Sequence, residues 1–185
     1  MHHPSFWLAA ACALASSSAL AQTASQRFER SLYVQVGTGD SSSRALVLGM
    51  THPWSATAWR LAGGTVRGHW DGWVGAWRNQ DGRGDSFYAA VLGAGPSLRW
   101  RGQQGASPWF AELGTSVMVS SKHLYNSGRR MGTRWNFASH LGVGMHLGHR
   151  QAHEISLRLQ HASNAGIKKP NPGLNMVQLR YARAF

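Results

Sequence analysis

His153-Glu154-Ile155-Ser156-Leu157-Arg158-Leu159-Gln160 decides the fold. Ile155, Leu157 and Leu159 point one way; Glu154, Ser156, Arg158 and Gln160 point the other. A period of two is a strand with one face in apolar surroundings. The end of the chain repeats the pattern, with Val177, Leu179, Tyr181 and Phe185 opposite Gln178 and Arg180. Residues 135–147 set Trp135, Phe137, Leu141, Val143, Met145 and Leu147 against Asn136, His140, Gly142, Gly144 and His146. In 109–119, Trp109, Leu113 and Val117 oppose Glu112 and Ser116, and in 66–77, Val66, Trp70 and Val74 oppose Arg67, His69 and Asp71. Three further strands fit at about 31–38, 44–52 and 86–100, which makes eight.

Composition decides which way these faces point. Charged residues are 14% of the chain, against about 25% in an ordinary soluble domain. The chain has nine Trp, and all but Trp7 lie in the strand-forming part. Beyond residue 21 no apolar run is long enough for a membrane-spanning helix. Few charges, many Trp and alternating strands imply an eight-stranded antiparallel transmembrane β-barrel of the outer-membrane type, apolar outside and polar inside. A soluble lipocalin-like barrel is the alternative. It would turn the apolar faces inward, and a face of Arg, Asp, Glu, His, Gln and Gly would then have to cover its outside.

The N-terminus supports export. Phe6 to Leu20 is uncharged and ends in Ala19-Leu20-Ala21, an A-x-A cleavage pattern. Residues 1–21 therefore read as a signal peptide and 22–185 as one barrel domain in the bacterial outer membrane. The apolar run is shorter than the roughly 20 residues of a membrane anchor. Cys12, the one cysteine, falls inside it, so the mature chain has no thiol chemistry.

Even strand number keeps both termini in the periplasm, with longer loops outside. The outer loops are expected at 39–43, 78–86, 120–133 and 164–173, and the inner turns near 53–63, 101–107 and 148–150. The formal net charge is +12. Arg78, Arg83, Lys122, Arg129, Arg130, Arg134, Lys168 and Lys169 all fall in or beside outer loops. A basic rim there suits the phosphates of outer-leaflet lipid. Export and barrel patterning argue against a nucleic-acid partner despite the basic balance. The scattered histidines show no metal-ligand spacing, and Gly37-x-Gly39 precedes no helix, so neither metal nor cofactor is expected.

The informative segment is His161-Ala162-Ser163-Asn164-Ala165-Gly166. His161 and Ser163 share a strand face with backbones roughly 7 Å apart. Their parity continues Ile155, Leu157 and Leu159, so both face lipid at the strand's outer end. Intramembrane polar groups are costly and are functional candidates. Spacing alone leaves a second reading open, a polar belt where the strand leaves the bilayer.

With Lys168, Pro170, Asn171 and Gly173 behind it, this segment resembles the C-terminal signature of the PagL family of outer-membrane lipid A 3-O-deacylases. Gly68-x-Trp70-Asp71, Pro108-x-Phe110-x-Glu112-x-Gly114 and Asn136-Phe137 extend the resemblance more loosely. The family consists of eight-stranded barrels that hydrolyse the ester at the 3 position of lipid A. The resemblance implies Ser163 as nucleophile, His161 as general base, and Asn164 with the backbone N–H near Gly166 as oxyanion stabilisers. Lys168, Lys169, Arg129 and Arg130 are the candidates for substrate phosphate. The implied partners are lipid A or lipopolysaccharide and other outer-membrane lipids; a homodimer is compatible with it.

One position departs from the family. Its third catalytic residue is a glutamate on the last strand, and here that position is Asn175. Asp71, Glu112 and Glu154 point inward by alternation, and Asp40 is about two strands from His161. An amide oxygen can hold the imidazole tautomer but gives the imidazolium no countercharge. Asn175→Glu is then expected to raise turnover roughly tenfold. A weak or inert structural or adhesive barrel is the alternative function, and a palmitoyl transferase fits the motif less well.

Overall fold

A computed structural model describes residues 29–185 of the chain; the segment 1–21, read from the sequence as a signal peptide, lies outside the described residues. The barrel strands are β1 (Ser31–Gly39), β2 (Ser43–Leu61), β3 (Gly64–Gln80), β4 (Ser86–Arg101), β5 (Trp109–Ser120), β8 (Trp135–Leu147), β9 (His153–Ser163) and β10 (Leu174–Ala184). Between β5 and β8 lies a short hairpin, β6 (Tyr125–Asn126) and β7 (Arg129–Arg130). The sheet closes in the order β1-β10-β9-β8-β5-β4-β3-β2, antiparallel throughout.

The alternation sorts as the sequence implies. Leu48, Leu92, Leu141 and Leu159 are each 58% or 59% exposed on the outer wall. In water such a wall would be a large apolar patch; in lipid it is matched to its solvent, so the lipocalin-like alternative fails. Inside, three arginines and three acids interlock. Arg99 donates to Glu112 and Glu154, Arg158 to Glu112 and Asp71, and Arg180 to Asp71 and Gln35. Tyr33 Oη donates to Asp71 at 2.5 Å. The space left among Gln35, Asp71, Arg158 and Arg180 is about 10 Å³, so this is a packed interior and not a channel.

Two expectations need correction. The inner turn expected at 53–63 is strand: β2 runs on to Leu61, and the turn is Ala62-Gly63. Both have positive φ, 48° and 69°, which matches the twist of a tight hairpin. Pro53, which has no N–H to give the ladder, sits where the register shifts between Pro53 and Ala58. Trp54 packs there against Trp59 and Trp70, ring centroids 6.4 and 5.7 Å away, an aromatic girdle at the terminal end. The 120–133 loop contains the unexpected β6–β7 hairpin. It buries Leu124 and Met131 completely and reaches across to the other outer loops, with Tyr125 N–H on Asn79 Oδ1 and Ser127 N–H on Ser41 Oγ.

Glu112→Leu would remove the carboxylate shared by Arg99 and Arg158. Breaking such a buried pair typically costs about 3–5 kcal/mol. Urea unfolding of the barrel in vesicles, followed by Trp fluorescence, should show a loss of that order; an unchanged midpoint would mean that the interior charges re-pair.

Candidate functional site

The outer ends of β8, β9 and β10 carry a polar row on the lipid face. Register places Ser139 opposite His161 and His161 opposite Asn175. Thr115 on β5 pairs with Ser139, hydroxyl to hydroxyl at 2.9 Å. Below the row the wall turns apolar. Ser139, Leu141, Leu159, His161, Asn175 and Val177 border an open hollow of about 600 Å³. A polar rim over a greasy trough fits an acyl chain with its ester at the rim.

His161 Nδ1 lies 2.7 Å from Asn175 Oδ1. Ser163 is half-buried at the end of β9. Among the described residues, nothing hydrogen-bonds its hydroxyl. Ser163 and His161 share the strand face but make no hydrogen bond to each other in this structure. The imidazole is seated by Gly173, at φ 68°. A Cβ there would come within 2.7 Å of His161 Cε1, so the position demands glycine on both conformational and steric grounds.

Asn164 and Gly166 hold each other. Asn164 is fully buried. Its Nδ2 donates to Thr133 Oγ1 at 3.1 Å and to the Lys168 carbonyl at 2.7 Å, and its Oδ1 accepts the Gly166 N–H at 3.0 Å. The Asn164 amide thus has no spare hydrogen; it ties the loop after Ser163 together. Asn171 Oδ1 secures the same loop by accepting Asn164 N–H at 3.1 Å. The Gly132 N–H on the Pro170 carbonyl joins it to the hairpin loop. Lys168 and Lys169 lie exposed on this loop. Arg129 and Arg130 are exposed on the neighbouring hairpin, brought to the same side of the mouth by these contacts.

The residue that the sequence reading set aside is Asp40. It is indeed two strands from His161, but only one from Asn175, because closure places β1 beside β10. Its Oδ2 accepts both the backbone N–H and Nδ2 of Asn175, each at 2.9 Å, and Asn126 Nδ2 at 3.2 Å. Gly39 makes the approach feasible, since a Cβ there would run into the Asn175 carbonyl. The available signal was Gly39-Asp40 at the end of the strand that must close against β10.

A family model described as Lipid A 3-O-deacylase (PagL) matches residues 44–184. The Lipid A deacylase PagL of Bordetella bronchiseptica is 38% identical over 91 residues, which is 49% of this chain and 47% of that protein. That match spans about half the length of the relative. The Lipid A deacylase PagL of Pseudomonas aeruginosa is 28% identical over 152 residues, 79% of this chain and 81% of that one. A crystal structure described as that of the outer membrane enzyme PagL superposes with a TM-score of 0.70 at 23% identity. It covers 84% of this chain and 99% of the other, a likeness of fold.

Gly173→Ala should push the His161 ring off its seat. Small misplacements of reacting groups can cost about 100-fold in rate. Ester hydrolysis by the refolded variant should fall by that order while the heat-modifiable gel mobility of a folded barrel is retained. Wild-type turnover would show that the ring is held elsewhere.

Proposed function

The chain belongs to the lipid A 3-O-deacylase (PagL) family, and from that membership we propose that it hydrolyses the ester carrying the 3-hydroxyacyl chain at the 3 position of lipid A. The reaction takes place at the outer leaflet, with Ser163 as nucleophile and His161 as base. The observation that carries this reading is the row Ser139–His161–Asn175 above the apolar hollow, with Ser163 on the same face. Acyl chains of a leaflet lipid lie along the wall, and their ester linkages come to the height of the row.

The steps follow from the atoms present. Asn175 Oδ1 can only accept, so His161 Nδ1 carries the proton and Nε2 offers its lone pair. His161 Nε2 takes the Ser163 hydroxyl proton as Oγ adds to the ester carbonyl carbon. The tetrahedral intermediate collapses, the sugar oxygen leaves, and it takes the proton back from His161. Water, activated by the same base, then frees the hydroxyacyl chain from Ser163. The developing oxyanion needs preorganised donors. The donor we assign is Gly166 N–H, presented at φ 79° and shared with Asn164 Oδ1. Asn164 acts by holding that loop and not through its own committed hydrogens. On this reading Lys168 and Lys169, with Arg129 and Arg130 on the hairpin whose loop is joined to theirs, receive lipid A phosphates as point charges and bidentate forks.

The inert-barrel alternative rested on the missing glutamate. What supports activity instead is the 2.7 Å contact between His161 and Asn175, which preserves tautomer control.

Mass spectrometry of lipid A from cells expressing the chain should show loss of one ester-linked hydroxyacyl group, and Ser163→Ala or His161→Ala should abolish that loss with the barrel still folded. Full activity of purified Ser163→Ala would remove it as nucleophile. Replacing Lys168 and Lys169 with Gln should weaken binding of phosphorylated lipid A more than of a neutral ester. Equal weakening of both would point to a purely structural loop.

A further inference from the structure

We propose that Asp40 completes the catalytic relay as a positioning residue, fixing the Asn175 amide and supplying through it the negative charge that asparagine lacks. The inference rests on the reading of Ser163 and His161 as nucleophile and base.

An asparagine amide has unlike ends. Turned one way it offers oxygen to His161 Nδ1; turned the other it offers NH₂, which would favour the tautomer with hydrogen on Nε2. That tautomer cannot accept the Ser163 proton. Nothing in Asn175 itself selects between the two. Asp40 does, because an ionised carboxylate only accepts. Its Oδ2 draws Asn175 Nδ2 to 2.9 Å and, by also accepting the Asn175 backbone N–H at 2.9 Å, fixes the distance between chain and side chain. Oδ1 is left facing His161 Nδ1 at 2.7 Å.

The same chain of bonds carries charge stabilisation. When His161 gains the Ser163 proton, its Nδ1–H pulls harder on Asn175 Oδ1. The amide polarises, and the carboxylate holds its NH₂ end. Hydrogen bonds linked in this way reinforce one another in surroundings of low dielectric. No proton passes through the amide. Asp40 is half-buried between the β1–β2 turn and β10, so its field is only partly screened. Other acids are engaged elsewhere: Asp71, Glu112 and Glu154 hold interior arginines, and Asp81 accepts the N–H groups of Arg83 and Asp85 within its own turn.

This reverses the expectation drawn from the sequence for Asn175→Glu. Beside Asp40, a glutamate at 175 would set two carboxylates against each other, and like charges at such range cannot both remain ionised without cost. The site accommodates one carboxylate, at 175 or at 40.

The test uses the refolded full chain in detergent, lipid A as substrate, and Ser163→Ala as a dead control. Gel mobility and circular dichroism report barrel integrity. Asp40→Asn should lower kcat about tenfold with KM unchanged, the size expected when a charge-assisted bond becomes neutral. Asp40→Ala should lower it further. Asn175→Glu should be slower than wild type, yet Asp40→Asn/Asn175→Glu should recover wild-type turnover or exceed it. A folded Asp40→Ala barrel with wild-type kcat overturns the proposal. So does a double variant no faster than Asp40→Asn alone, which is the result expected if Asp40 merely anchors the loop. An active Ser163→Ala would instead overturn the underlying reading of the nucleophile.

Discussion

The interlocked ions inside the barrel are the constraint on which the rest depends. Arg99, Arg158 and Arg180 hold Glu154, Glu112 and Asp71 in a space almost without voids. Each of these residues sits on one parity of its strand. A one-residue slip of β3, β4, β5, β9 or β10 would send its buried charges into lipid and its outward apolar residues into the charged interior. The network therefore ties together the registers of β3, β4, β5, β9 and β10, and register fixes which side chains meet on the outer wall. His161 and Asn175 are neighbours in the register of β9 with β10, whose arginines Arg158 and Arg180 share Asp71 inside the barrel, and β8 brings Ser139 to the other side of His161.

That outer wall shows how a polar row can be built on a lipid-facing surface. A histidine isolated in hydrocarbon would be costly. Here each polar group has a partner along the row: Thr115 with Ser139, His161 with Asn175, and Asn175 with Asp40. The row lies at the outer ends of the strands, where a lipid's ester linkages meet its head group. On the proposed function, a lipid would reach the row by lateral movement in the leaflet, and no deep pocket is needed. The barrel serves as a rigid frame that positions side chains on its rim.

The loops finish the arrangement. The β6–β7 hairpin seals the mouth with Leu124 and Met131. It also ties itself to the β1–β2 turn through Asn126 and Ser127, and the loop after Ser163 is fastened through Thr133 and Gly132. The basic residues and the polar row are thus parts of one bonded assembly. A shift of the hairpin would be felt at Asp40 and hence at His161.

Strand parity, the eightfold count, the inward acids and the shared face of His161 and Ser163 were legible in the sequence, because a period of two assigns every strand residue to a face without knowledge of any partner. The motif at 161–166 and the departure at Asn175 were equally visible. The 53–63 segment was expected as a turn and is strand, because the irregularity between Pro53 and Ala58 is absorbed by pairing with β3, a property of two strands and not of one. Nor could the sequence show that the Asn164 amide is fully engaged, or that Asp40 bonds Asn175 from 135 residues away. Those contacts exist only once β1 closes against β10 and the loops fold over the mouth. Periodicity is a local property that the chain carries with it, whereas the direction of an amide is set by whichever charge the closed barrel brings beside it.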